Sequence, residues 1–168
     1  MPLKNLDHIF RPRRVAVVGA SDRQGSVGYT VLKNLREGGF KGELYAVNPH
    51  REQVQNLPAF RTIGELPDRP DLAVLCTPAD TIAPLVEQCA AADVRGVVIL
   101  AAGFREVGER GRTREKRLRE IIASTPSLRV VGPNCLGLIA PHHGLNASFA
   151  TTSLPPGRVA FVSQSGAI

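Results

Sequence analysis

The stretch Val15-Ala-Val-Val-Gly-Ala-Ser-Asp-Arg-Gln-Gly-Ser-Val-Gly28 decides the fold. Residues 15–18 are β-branched or small and apolar, the composition of a strand covered on both faces. Gly19 ends that strand. Turn and cap residues occupy 21–26, and Ser26 suits an N-cap. Val27, Tyr29, Val31, Leu32 and Leu35 then recur at helical spacing. A strand, a glycine-rich turn and a helix start present free backbone N–H groups, and the glycines let an anion approach the main chain. Gly19, Ala20, Ser21, Gly25, Ser26, Val27 and Gly28 are therefore candidate phosphate-binding residues. The pattern departs from G-x-G-x-x-G. Its glycines fall at 19, 25 and 28, so the loop is longer and the second glycine is displaced.

The 168 residues suffice for one domain with its own core. Trp is absent and aromatics make up 5%, so the core must be built from Val, Leu, Ile and Ala. That is the usual content of a parallel sheet. The formal charge is +6, with a basic cluster in residues 105–119. Glu109, Glu115 and Glu120 interrupt that cluster, which marks a solvated helix face rather than a nucleic-acid stripe. Aromatic interleaving for single-strand binding is also missing. Cys76, Cys89 and Cys135 lack metal-ligand spacing, and an odd count fits reduced thiols in a cytoplasmic protein. Residues 1–14 contain no apolar signal core, and no run is long enough to span a bilayer. Neither nucleic acid nor membrane is expected as a partner.

Along the chain, strands and helices alternate. A lead-in helix over residues 3–10 has Leu6, Ile9 and Phe10 as its apolar contacts. Strands follow at 14–18, 43–48, 71–76, 96–100 and 128–131, with a short one near 59–62. Helices fall at about 27–37, after residue 80 (capped by Asp80 or Thr81), and at about 111–124. This alternation predicts an α/β, Rossmann-like, doubly wound parallel sheet, whose ligands sit beyond the carboxyl ends of the strands.

Five loops converge on that edge. Besides the glycine loop they carry Asn48, Pro49 and Arg51; Thr77 and Pro78; Ala101 and Ala102; and Asn134 and Cys135. The second strand ends in Asn48-Pro-His-Arg51, with no carboxylate to hold a ribose 2′-OH. That counts against NAD and suits a ligand with extra phosphate, either NADP or coenzyme A. Residues 137–156 show little periodicity, and His142 and His143 are expected in a solvated loop. Residues 158–162 predict a further strand, with a glycine turn after it.

The motifs Val17-Val-Gly-Ala-Ser21 with Gly25 and Gly28, Val47-Asn-Pro49, Ala101-Ala-Gly-Phe104 with Glu106 and Gly108, Gly132-Pro-Asn-Cys-Leu-Gly137 and Leu145-Asn-Ala-Ser-Phe149 resemble a known family. It is the coenzyme A-binding domain of the NDP-forming acyl-CoA synthetases, related to the α subunit of succinyl-CoA synthetase. Gly132-Pro-Asn-Cys-Leu-Gly137 is the most specific piece. The resemblance implies that residues 20–28 and 48–51 hold the nucleotide and pyrophosphate of coenzyme A or an acyl-CoA. Residues 77–78, 101–102 and 134–135 would line the pantetheine and thiol end. It implies no catalytic residue here: the phosphohistidine and the ATP-grasp domain of such ligases belong to downstream domains. Residues 1–140 would be the coenzyme A-binding domain and 141–156 a linker. Residues 157–168 would open a second, flavodoxin-like domain. Some relatives fuse the domain to a protein acetyltransferase, where it senses coenzyme A. An NADP-binding oxidoreductase domain is the alternative of another class.

Overall fold

A computed structural model describes residues 5–152 and 154–163. Its centre is a seven-stranded sheet of order β3-β4-β2-β1-β5-β6-β7. The strands are β1 (Arg14–Val18), β2 (Glu43–Val47), β3 (Gln53–Val54), β4 (Leu57–Phe60), β5 (Leu72–Leu75), β6 (Gly96–Ile99) and β7 (Arg129–Val131). Only β3 runs antiparallel to its neighbour; every other pairing in this sheet is parallel. The Rossmann-like expectation is met, and the strand near 59–62 is β4, preceded by the short β3.

Alternation along each strand splits the core into two layers. Ala16, Val18, Val47, Ala73, Leu75, Val97 and Ile99 face one side, covered by α3 (Ile82–Ala91) and α4 (Glu109–Ser124). Val15, Val17, Ala46, Leu72, Val74 and Val98 face the other, covered by α1 (Leu6–Phe10) and α2 (Val27–Glu37). Two-sided burial is why the strands read as continuous apolar runs.

Helix α2 begins where expected. Ser26 is its N-cap and accepts a hydrogen bond from the Tyr29 N–H at 3.3 Å. Val31, Leu32 and Leu35 form its fully buried stripe. It stops at Gly38 and Gly39, the latter at φ 81°, which a Cβ would disfavour. In α1, Ile9 is buried but Phe10 is 47% exposed, so the helix docks through fewer apolar contacts than expected.

Three expectations are corrected. Thr81 stands at the N-cap position of α3, but its side chain makes no cap hydrogen bond. Residues Ala79–Thr81 form a 3₁₀ turn, and the Thr81 hydroxyl donates to the Pro78 carbonyl and pairs with the Thr77 hydroxyl, both at 2.7 Å. Second, the segment after residue 137 is not irregular. β8 (Gly137–Ala140) and β9 (Leu145–Ser148) form an antiparallel hairpin, with Pro141–His143 in its turn. All four β9 residues are buried, and Leu145 and Ala147 pack in the same layer as α2. Asn34 of α2 donates from Nδ2 to the carbonyls of Ser148 and Ala150, each at 2.9 Å. The hairpin thus lies on both sides of the boundary expected at 140/141. Third, residues 158–162 form no strand. Val159, Phe161 and Val162 are exposed, and a strand requires a ladder partner to exist. The glycine turn expected after residue 163 lies outside the described residues. Among the described residues, no helix is long and apolar enough to cross a membrane.

Candidate functional site

Because β1, β2, β5, β6 and β7 run parallel, the loops that follow them share one edge of the sheet. The structure therefore brings together all five of the predicted loops. The glycine loop lies near the centre, where the crossovers reverse direction between β1 and β5, the place at which such sheets take their ligands.

Its geometry is that of an anion site. Gly19 has φ 84° and Gly25 has φ 79°, both in the region that favours glycine. A Cβ on Gly28 would overlap the Gly19 carbonyl oxygen, so the helix start is pressed against the strand end. A Cβ on Gly25 would meet nothing within 4 Å, so the loop is open on that side. Among the described residues, the N–H groups of Val27 and Gly28 have no hydrogen-bond acceptor. These are the first two N–H groups of α2, at the positive end of its dipole.

The other loops are tied to this one and to each other. Asn48 Nδ2 donates to the Ala20 carbonyl at 2.8 Å, while its Oδ1 accepts from the His50 N–H at 2.9 Å. Both ends of that amide are engaged, so Asn48 shapes the edge. Pro49 follows it in the turn. Arg51 is exposed and, among the described residues, has no ion-pair or hydrogen-bond partner. Thr77 approaches the glycine loop from β5, and its Cγ2 would lie 2.7 Å from a Cβ on Gly19. Pro78 and Ala102 are exposed on the same edge.

On the far side, the Asn134 N–H donates to the Ala101 carbonyl at 2.9 Å, joining the loops after β6 and β7. Asn134 sits at φ 54° and Gly132 at φ 94°, and the Gly132–Pro133 peptide is cis. Cys135 Sγ donates to the Ile99 carbonyl at 3.3 Å. Burial pushes this thiol above its ordinary pKa, which disfavours the thiolate. Burial pushes the Cys76 and Cys89 thiols up to about 12.

Sequence reasoning missed three residues as parts of the site. Glu106 Oε1 accepts from the N–H groups of Gly103 and Phe104, at 2.5 and 3.1 Å. Burial acts to raise the Glu106 pKa, but these N–H donors outweigh it and hold the carboxyl below its ordinary value. Arg114 of α4 donates from Nη1 to the Gly103 carbonyl at 2.8 Å and from Nε to Asp80 Oδ1 at 2.7 Å. Arg114 thus joins the loops after β5 and β6. Gln55, in the β3–β4 turn, donates to carbonyls of the glycine loop and of α2. Glu106 stood in a quoted motif without a role. Nothing in the local sequence around Gln55 or Arg114 marks them, since their partners lie far away in the chain.

A separate groove of about 570 Å³ lies between residues 62–70 and the C-terminal end of α3, and it shares no residue with these loops. At the edge itself the loops offer N–H donors, hydroxyls, small residues and an unpaired arginine. Val27 and Leu136 add exposed apolar surface. Such a set suits an extended anion with an apolar tail; among the described residues of these loops, no nucleophile is hydrogen-bonded to a base.

Residues 13–141 match a family described as CoA binding domain. An ADP-forming acetate–CoA ligase II α subunit of Pyrococcus furiosus is 44% identical over 164 residues, 97% of this chain and 35% of that subunit. An ADP-forming acetate–CoA ligase I of Archaeoglobus fulgidus is 41% identical over 162 residues, 96% of this chain and 23% of that enzyme. Among solved structures, a dinucleotide forming acetyl-coenzyme A synthetase 1 of Ca. Korarchaeum cryptofilum, in complex with phosphate and ADP, aligns with a TM-score of 0.89. Its identity is 38%, covering 96% of this chain and 34% of that one. The chain thus spans about a quarter to a third of these relatives' lengths.

Proposed function

The chain belongs to the CoA binding domain family, and we propose that it is the coenzyme A-binding unit of an NDP-forming acyl-CoA synthetase. The observation that carries this is the pair of unengaged N–H groups at Val27 and Gly28, at a helix start cleared by glycines. Coenzyme A brings a pyrophosphate and a 3′-phosphate, which such donors and a free guanidinium satisfy.

In this reading Gly19, Ala20, Ser21, Gly25, Ser26, Val27 and Gly28 receive the pyrophosphate. Asn48 and Pro49 shape the adjoining turn, from which Arg51 meets the nucleotide phosphate. Thr77, Pro78, Ala101, Ala102, Asn134 and Cys135 line the path of the pantetheine arm. Val27 and Leu136 give that arm apolar contact. The chain's own residues bind and orient; the acid, the NDP and phosphate are handled by further domains, an ATP-grasp domain among them. Three unbridged cysteines fit a reducing cytoplasm.

Calorimetric titration with coenzyme A tests the reading, with NADP and NAD as competitors. Micromolar binding of coenzyme A, insensitive to NADP and weakened in Gly25→Val, is the expected result. A valine there fills the open side of the loop and strains a positive φ. Preferential binding of NADP would overturn it in favour of an oxidoreductase domain.

A further inference from the structure

We propose that Gln55 is a positioning residue that holds the glycine loop in its phosphate-ready form, an inference that rests on the coenzyme A reading above. Gln55 and Asn56 form the tight turn between β3 and β4, at φ 50° and 62°. Four hydrogen bonds converge on Gln55. Its N–H donates to Asp22 Oδ1 at 2.7 Å. Its Nε2 donates to the Ser21 carbonyl at 3.2 Å and to the Tyr29 carbonyl at 3.0 Å. Its own carbonyl accepts from Arg36 Nη1 at 2.7 Å. Both side-chain partners are carbonyls, so the amide nitrogen must face them.

Two consequences follow for an anion in the loop. Ser21 opens the loop and Tyr29 lies in the first turn of α2, so one amide spans the segment in which the phosphate donors stand. A loop already held in its bound form spares the ordering cost of binding. Second, Asp22 is the single acidic residue of 19–28. A carboxylate free to swing over the Val27 and Gly28 N–H groups would compete with phosphate for them and repel it. The Gln55 N–H and the αL turn hold it against the β3–β4 hairpin instead. Gln55 therefore contributes to affinity without touching the ligand.

The test is calorimetry with coenzyme A on the wild-type chain, Gln55→Met, Asp22→Asn and the double variant, each with its melting temperature. Met keeps the length and removes the amide. Gln55→Met is expected to weaken coenzyme A about tenfold, with little change in melting temperature. Asp22→Asn is expected to change affinity by the same factor in both backgrounds, because its partner is the Gln55 main-chain N–H, which Met keeps. Should Gln55→Met fail to fold, Gln55→Glu turns a donor into an acceptor facing two carbonyls and is expected to show the same loss. Equal affinities of wild type and Gln55→Met overturn the proposal. So does a loss that follows a fall in melting temperature. Failure of the wild-type chain to bind coenzyme A would defeat the coenzyme A reading itself, a distinct result.

Discussion

Gly28, in the first turn of α2, lies so close to the Gly19 carbonyl oxygen that no Cβ fits between them. This contact joins the start of α2 to the end of the central strand. The atom in the way is backbone, so neither partner can rotate aside. Gly28→Ala is expected to lower stability by about 3 kcal/mol or more. Gly25→Ala meets no neighbour and is expected to cost about 1 kcal/mol from its positive φ alone. Urea unfolding of the two variants measures the difference; equal losses would show that the Gly19–Gly28 contact is not tight.

Arg114 holds two site loops from outside the site. Its guanidinium is mostly covered, with 19% of the side chain exposed, while Asp80 is well exposed. The ion pair is therefore worth little by itself, and the bond to the Gly103 carbonyl matters more. Arg114→Met is expected to cost about 1 kcal/mol of stability. Amide exchange should quicken at residues 101–104, and coenzyme A should bind more weakly. Unchanged exchange at Gly103 would count against the clamp.

Asp71 ties the N-terminal segment to the sheet. Its carboxylate accepts from the N–H groups of Arg13 and Arg14, at 2.8 and 3.1 Å, and lies 3.0 Å from His8 Nδ1. Burial acts to raise its pKa, but these donors outweigh it and hold the carboxyl below its ordinary value. A depressed folded value means that the ionised form stabilises the fold above the unfolded pKa of about 3.9. That contribution is lost as pH falls through the folded value. The wild type should therefore lose stability below about pH 4 more steeply than Asp71→Asn. Parallel pH profiles of the two proteins would refute the assignment.

Leu145 tests whether the β8–β9 hairpin belongs to the first domain. It is fully buried in the layer that covers α2. Leu145→Ala is expected to cost about 2–5 kcal/mol in chemical denaturation. A loss under about 0.5 kcal/mol, ordinary for a surface site, would restore the linker reading of residues 141–156.

The central strands and α2 were legible because their signals are local. The apolar run at 15–18, the cap at Ser26 and the stop at Gly39 each act within a few residues. The parallel topology followed from alternation, since parallel neighbours need crossovers. From that topology the convergence of the five loops followed in turn. The hairpin was not legible: Leu145 and Ala147 alternate over only four residues, between a Pro-His-His turn and irregular chain. Their burial depends on α2, more than a hundred residues earlier.

By itself, then, the sequence determined the sheet, the edge at which the five loops meet, and the glycine turn that opens α2, because periodicity, caps and glycines work at short range. Only the tertiary structure decided how that turn is held. Asn48 reaches back to Ala20, Gln55 to Ser21 and Tyr29, and Arg114 to Gly103 and Asp80. Each of these bonds is a hydrogen bond or ion pair between groups distant in the chain, set by where the folded elements lie.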